Sequence, residues 1–224
     1  MLEKIHLIAV MIIPLLLAIT IHEAAHGWIA SKLGDRTAQQ IGRVTLNPIK
    51  HIDPIGTIIV PLVMFLLSGF VFGWAKPVPV NWRNLRNPRR DMAFVAIAGP
   101  LANLLMAISW AIIAKITISI ALTIQPTSTA SIDILKYIII ASEYGILINL
   151  ILLVFNLIPI PPLDGSRVIS SLLPKKLAYN YNKIEPYGMW IIIGLLFVGA
   201  LSSIILPLTF SLSKLLHYIF GLNI

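Results

Sequence analysis

The chain has 224 residues, 58% of them hydrophobic and only 12% charged, with a formal net charge of +8 and no cysteine. A soluble domain carries about 25% charged residues, so this composition, with a mean hydropathy of +0.90, excludes an ordinary soluble enzyme and points to a polytopic membrane protein. Without cysteine there are no disulfides, thiolate metal sites or cysteine nucleophiles. The excess of Lys and Arg is read as the charge that orients membrane loops rather than as a nucleic-acid surface, because no nucleic-acid motif accompanies it.

Five apolar segments follow in order, at 5–30, 55–74, 91–122, 134–160 and 187–206, with a weaker sixth at 208–222 that Lys214 and His217 interrupt. Segments of about 20 apolar residues are long enough to cross the hydrocarbon core. The first has no small-residue cleavage site and runs directly into a charged cluster, so it is expected to be retained as a helix. No repeat or soluble domain is visible. The fold class expected is an all-α polytopic membrane protein in one integral-membrane domain over 1–224, with a core at about 5–168 and accessory segments at 187–222.

The first segment ends in "IHEAAHGWIA", Ile21 to Ala30. Residues four apart share a helix face, so His22 and His26 present two imidazoles to one metal ion with Glu23 beside them. H-E-x-x-H on a helix reads as a zinc site with the glutamate as general base. An ionisable residue inside a membrane helix costs a few kcal/mol, which weakens the reading of a chance match.

The second segment poses a problem of parity. The loop around Lys32, Arg36, Arg43 and Lys50 and the loop around Lys76, Arg83, Arg86, Arg89 and Arg90 are both basic, so both are expected on the cytoplasmic side. A single crossing at 55–74 would separate them. Gly56, Pro61, Gly69 and Gly73 weaken a straight helix there. In "GWAKPVPV" each proline holds the residue before it extended. A re-entrant excursion followed by extended chain over 55–80 is therefore expected, in place of an ordinary crossing; backbone of this kind is tolerated where protein or a water-filled cavity covers it. The segment at 91–122 opens with "AGPLAN", whose Gly99, Pro100 and Asn103 are read as residues of close helix packing. Loop 123–133 has no Lys or Arg and is expected outside.

The segment at 134–160 runs into "NLIPIPPLDG". Catalytic zinc takes three protein ligands, so a third is needed beside His22 and His26. His6 lies four turns before His22, His217 sits in the weak sixth segment, and His51 and Asp53 belong to a loop at the cytoplasmic edge. Asp164 is best placed: Pro159, Pro161 and Pro162 stop the helix, and Gly165 lets the chain turn. The competing role for Asp164 is a cap on the helix that follows. The His22–His26 pair and Asp164 reach one depth only if their helices run in the same direction, which the re-entrant reading of 55–80 supplies.

"HEAAH" in an apolar helix, "AGPLAN" opening another and "NLIPIPPLDG" ending a third together resemble the site-2 protease family of intramembrane zinc metalloproteases, over about residues 18–168. The prolines in "PIPPLDG" exceed the family's usual motif, and the short chain resembles minimal bacterial members without PDZ or CBS modules. The resemblance implies a three-helix catalytic core, one Zn2+ held by His22, His26 and Asp164, and Glu23 as catalytic acid/base. It further implies hydrolysis of peptide bonds in or near transmembrane segments of membrane-protein substrates, often in regulated intramembrane proteolysis, in the lipid bilayer of the cell membrane. The site is expected toward the cytoplasmic face. Asn156 is a candidate for binding substrate backbone, and Trp74, Ala75, Lys76, Pro77 and Val78 for pairing with an unwound substrate strand; Trp74 and Trp82 also suit interfacial anchors. Two other readings have clear discriminators. The HExxH membrane peptidases with a glutamate ligand need a later Glu-rich helix motif, which Asp133, Glu143 and Glu185 do not form. A non-proteolytic metal-binding membrane protein, either a transporter or an inactive client-binding relative, would place ionisable groups on several helices or lose Glu23.

Overall fold

The computed structural model describes residues 2–60, 63, 73–124 and 128–222. Among them there are helices and turns and no strand. The long helices are α1 (Leu2–Lys32), α2 (Pro88–Ile124) and α3 (Thr129–Asn156); shorter ones follow as α4 (Asp164–Leu172), α5 (Lys175–Asn182), α6 (Glu185–Phe197) and α7 (Ser202–Phe220). Among the described residues four stretches are long and apolar enough to cross a membrane: Val10–Lys32, Pro88–Ile124, Thr129–Asn156 and Ser202–Phe220.

This corrects the reading of the C-terminal region. The expected apolar segment at 187–206 is two helices, and the weak segment at 208–222 belongs to the longer of them. Gly199 takes a left-handed φ of 77°, and its N–H donates to Leu196 O at 3.0 Å, the kind of glycine stop that ends helices. What remains before it, α6, has 13 residues, about 20 Å at 1.5 Å per residue and short of the hydrocarbon core. Lys214 and His217 do not interrupt α7: His217 Nε2 meets Glu143 Oε2 of α3 at 2.9 Å, so its polar atom is satisfied within the protein.

Helices α1, α2 and α3 form the core. Small residues bring them close: Gly145 of α3 lies against the Trp110 indole of α2, and Ala107, Ala111, Ala114, Ile146 and Leu150 fill the seam. Without a hydrophobic driving force between helices in lipid, packing of this kind and hydrogen bonds between helices hold them together. Asn103 of α2 supplies the bonds, donating from Nδ2 to Asn149 Oδ1 of α3 at 2.9 Å and to Ala18 O of α1 at 3.3 Å. Val95 of α2 lies opposite His26 of α1, and Asn103 opposite His22, so α2 runs antiparallel to α1. Asn149 of α3 meets Asn103 and Gly145 meets Trp110, so α3 is antiparallel to α2 in turn, and α1 and α3 finish at the same end of the bundle.

The excursion after α1 leaves and returns at one place. Pro54–Ile59 form a wide helical turn that Asp53 caps, accepting from the Ile55 and Gly56 N–H groups. Trp74 N–H donates to Gly56 O at 3.0 Å, and Thr57 Oγ1 donates to Trp74 O at 2.9 Å. The path between, residues 61, 62 and 64–72, lies outside the described residues, and so does the depth the expected re-entry reaches. Residues 73–80 form neither helix nor strand, and Pro77 and Pro79 bias Lys76 and Val78 toward extended backbone.

That extended chain is stapled along its length. Lys76 N–H donates to His51 O at 2.9 Å, and the buried Arg43 donates to Lys76 O at 2.9 Å. Asn81 N–H donates to Asp35 Oδ2 at 2.6 Å. Burial pushes the Asp35 carboxyl up, but hydrogen bonds from Thr37, Asn84 and Asn81 outweigh it and hold the group below the usual carboxylate range.

Candidate metal centre and active site

His22 and His26 lie one turn apart near the end of α1, with their rings edge to face and centroids 4.7 Å apart. Their Nε2 atoms are 3.0 Å from each other. Asp164 Oδ2 lies 3.2 Å from His22 Nε2 and 3.3 Å from His26 Nε2. Three atoms contributed by two elements 138 residues apart in sequence (164 − 26) thus form a near-equilateral triangle. This is the one group of three metal-ligating side chains found among the described residues.

The surrounding bonds decide what the triangle can hold. His26 Nδ1 lies 2.7 Å from Val95 O, which can only accept, so the proton is on Nδ1. His22 Nδ1 lies 2.6 Å from Asn103 Oδ1; the amide nitrogen of Asn103 is engaged elsewhere, so this ring too carries its proton on Nδ1. Both Nε2 atoms then offer lone pairs to the centre. The third corner, Asp164 Oδ2, is buried with no hydrogen-bond partner. Three converging acceptors without a donor repel one another unless a cation sits among them, and a ring nitrogen that points at a metal while its other N–H is held is the usual arrangement of such sites. The donor set of two imidazoles and a carboxylate suits zinc.

Asp164 reaches this position through an abrupt change of direction. Helix α3 ends at Asn156, and the proline-rich turn carries the chain into α4, of which Asp164 is the first residue. No side chain caps α4, so the competing role of Asp164 as a helix cap is not the one it plays. The turn is tightly seated. A side chain at Gly165 would strike the Leu157 carbonyl, and one at Gly188 of α6 would strike that of Pro161. Arg89, in the first turn of α2, donates through Nε to Ser171 O at 2.7 Å and bonds Leu173 O, tying α4 to the helix that backs the histidines.

Two residues read from sequence as helix packing belong to the site. Asn103 is fully buried and holds His22. Gly99 lies directly behind the imidazoles: a Cβ there would come within 2.6 Å of His22 Nε2 and also strike His26 Nε2. Asn149, which sequence reasoning missed, extends the amide chain from Asn103 and donates from Nδ2 to Gly145 O at 2.8 Å. The available signal was a carboxamide in the middle of an apolar helix.

Glu23 faces two adjoining cavities. One, of about 310 Å³, includes His22, His26, Asp164, Val80, Trp82 and Arg167 in its lining. The other, of about 520 Å³, is largely apolar, with Leu15, Ile19, Leu152, Phe155, Met189 and Ile192 among its walls. Asn156 borders both, although its Nδ2 already donates to Leu152 O at 2.9 Å. Of the segment singled out for strand pairing, Pro77 borders both cavities, Val78 the first, and Trp74 and Ala75 the second. Lys76 lines neither cavity. Trp74 packs its indole on Gly56. The Trp82 ring lies 5.6 Å from the Arg167 guanidinium, which also pairs with Glu185 at the start of α6. Both tryptophans thus make contacts within the protein.

The comparisons with known proteins agree with this architecture. The sequence profile of peptidase family M50 matches residues 10–201. A protein of Bacillus subtilis (strain 168) named as a zinc metalloprotease, YwhC, is 39% identical over 196 residues, covering 88% of this chain and 83% of its own. A second protein named as a zinc metalloprotease, Rip2 of Mycolicibacterium smegmatis, is 27% identical over 84% of this chain and 66% of its own. Rip2 of Mycobacterium tuberculosis (strain ATCC 25618 / H37Rv) is 28% identical over 67% of this chain, which spans 52% of that protein. No solved structure matches the chain. With its HEAAH helix, its convergent aspartate and a family match across most of its length, the chain belongs to peptidase family M50.

Proposed function

We propose that this member of family M50 is a zinc-dependent intramembrane endopeptidase that cleaves membrane proteins in or near their transmembrane segments. The observation that carries the reading is the convergence of His22 Nε2, His26 Nε2 and Asp164 Oδ2 at the ends of helices long enough to span a bilayer. These three residues would hold the ion, and Glu23 is the acid/base.

When bound, zinc supplies Lewis acidity at the reacting water and carbonyl. Glu23 takes the proton of the attacking water and returns it to the leaving nitrogen. Asn103 and the Val95 carbonyl keep both imidazoles in the required tautomer. The apolar walls from Leu15, Ile19, Leu152 and Phe155 receive the lipid-embedded side of a substrate, while the cavity beside Trp82 and Arg167 admits water. Asn156, placed between them, binds substrate backbone with the amide capacity its own helix leaves over. Regulated intramembrane proteolysis is the process such a reaction serves.

Two measurements test this. Zinc per chain in detergent-purified protein should be close to one, and should fall by at least about 10-fold in Asp164→Ala, which removes a ligand outright. Mass spectrometry of membrane peptides from cells carrying the wild type or Glu23→Gln should show new termini within transmembrane segments in the wild type alone. A zinc-free wild type, or identical peptide sets, would sink the proposal.

A site that faces the cytoplasm is supported by the charge of the loops: basic residues such as Arg36, Arg83 and Arg90 cluster at its end of the bundle, whereas loop 123–133 has none. The chain has no cysteine, so single replacements report without background. Lys50→Cys should be protected from a membrane-impermeant maleimide in intact cells, and Thr129→Cys should be labelled. The reverse pattern would invert the topology.

A further inference from the structure

Between Lys76 and Val80 the sequence alternates "KPVPV". Proline has no N–H, so Val78 carries the single amide donor of residues 77–79. That donor is spent on Glu23: Val78 N–H donates to Glu23 Oε2 at 2.7 Å across 55 residues of chain. The arrangement is fixed from every side. Pro77 and Pro79 hold the residues before them extended and offer no competing donor. Arg43 grips the Lys76 and Pro77 carbonyls. Val78 itself is buried, with Cγ1 lying 3.0 Å from where a Cβ on Gly27 would stand. Gly27 follows His26 directly, so the absent side chain of α1 makes the seat that brings the amide to Glu23.

We propose that the backbone amide of Val78 is the positioning donor for Glu23. It pins Oε2 and leaves Oε1 as the oxygen that exchanges a proton with the reacting water. The inference rests on the proposed role of Glu23 as acid/base and adds what aims it. A glutamate has three side-chain torsions, and a base displaced by about 1 Å forfeits roughly 10²-fold in rate. A hydrogen bond to a carboxylate is short and about twice as strong as a neutral one, and a donor on stapled backbone does not wander. The segment read from sequence as a substrate strand thus also serves the protein's own catalytic side chain.

The first readout needs no substrate. The zinc-loaded full chain is labelled with ¹⁵N-valine in lipid nanodiscs, and the Val78 amide is assigned by its loss in Val78→Ala. A proton bonded to a carboxylate lies downfield, so this resonance should move upfield in Glu23→Ala while zinc stays bound. A Val78 resonance unchanged in Glu23→Ala overturns the proposal, whatever the enzyme cleaves.

The second readout uses fluorescein-labelled β-casein, an unstructured chain that needs no unwinding. Val78→Ala, which keeps the N–H but trims the packing, should lose far less kcat than Val78→Pro. Val78→Pro, which removes it, should lower kcat about 10²-fold with KM and zinc content little changed. Gly27→Ala, which pushes Val78 outward, should lower kcat in the same way and serves where Val78→Pro loses zinc. Unchanged kcat in both variants, or a rise in KM alone, overturns the proposal by assigning the segment to substrate binding. Failure of the wild type to cleave casein would count against the proteolytic reading, with the amide resonance still deciding whether the bond exists.

Discussion

Replacing Gly99 with alanine should produce a helical chain with less than about a tenth of the wild-type zinc, within the roughly 10–100-fold range that losing a supporting residue around a metal ordinarily costs. Gly99 ligates nothing. Its importance is spatial: the Cβ would stand within 2.6 Å of His22 Nε2 and against His26 Nε2, the two atoms that must point at the ion. Neither ring can retreat, because His22 Nδ1 is tied to Asn103 and His26 Nδ1 to Val95, both on the same helix as Gly99. Helix α2 would have to move away from α1, and Asn103 would leave His22 with it. Zinc per chain by mass spectrometry, with helix content by circular dichroism, checks this. An alanine variant that binds zinc as the wild type does would show that α2 does not lie this close behind the histidines.

Glu23→Gln is expected to do the opposite: full zinc content and almost no cleavage. The glutamine side chain has the same size, and its Oε1 can accept the Val78 N–H in place of the carboxylate oxygen, so packing beside the site is kept. What disappears is the capacity to take up a proton, worth about 10²–10⁴-fold in rate. Purified variant and wild type in proteoliposomes, given the same single-span substrate, should differ by that factor in kcat. Activity within a few-fold of wild type would remove Glu23 from the mechanism and leave the acid/base unidentified.

The two outcomes separate residues that were legible in the sequence from those that were not. The spacing of His22 and His26 fixes their common helix face whatever surrounds them, with Glu23 beside it, and "PIPPLDG" announces a carboxylate at a broken helix end. Parity of charged loops set α1 and α3 parallel, and the antiparallel α2 between them agrees. The facing of α2 could not be read in this way, because a membrane helix carries no polar stripe to show which side meets its neighbours. Gly99 and Asn103 therefore looked like general packing residues until the partner helix was in place. The boundary near residue 199 was hidden for a related reason. Hydropathy averages over a window and does not register one glycine at a φ of 77°. The Val78–Glu23 bond is a contact between backbone and side chain 55 residues apart, for which the sequence offers only the missing amides of two prolines.

The hydrogen bond from Trp74 to Gly56 has an evolutionary consequence. Because the two ends of the excursion meet, its length is decoupled from the placement of everything downstream. Trp74 is held at Gly56 whatever path joins them, and the start of α2, with Gly99 and Asn103 behind it, need not shift when that path changes. A lineage can therefore lengthen, shorten or replace the stretch between Gly56 and Trp74 to suit the membrane or the clients it meets, while the catalytic geometry is inherited intact.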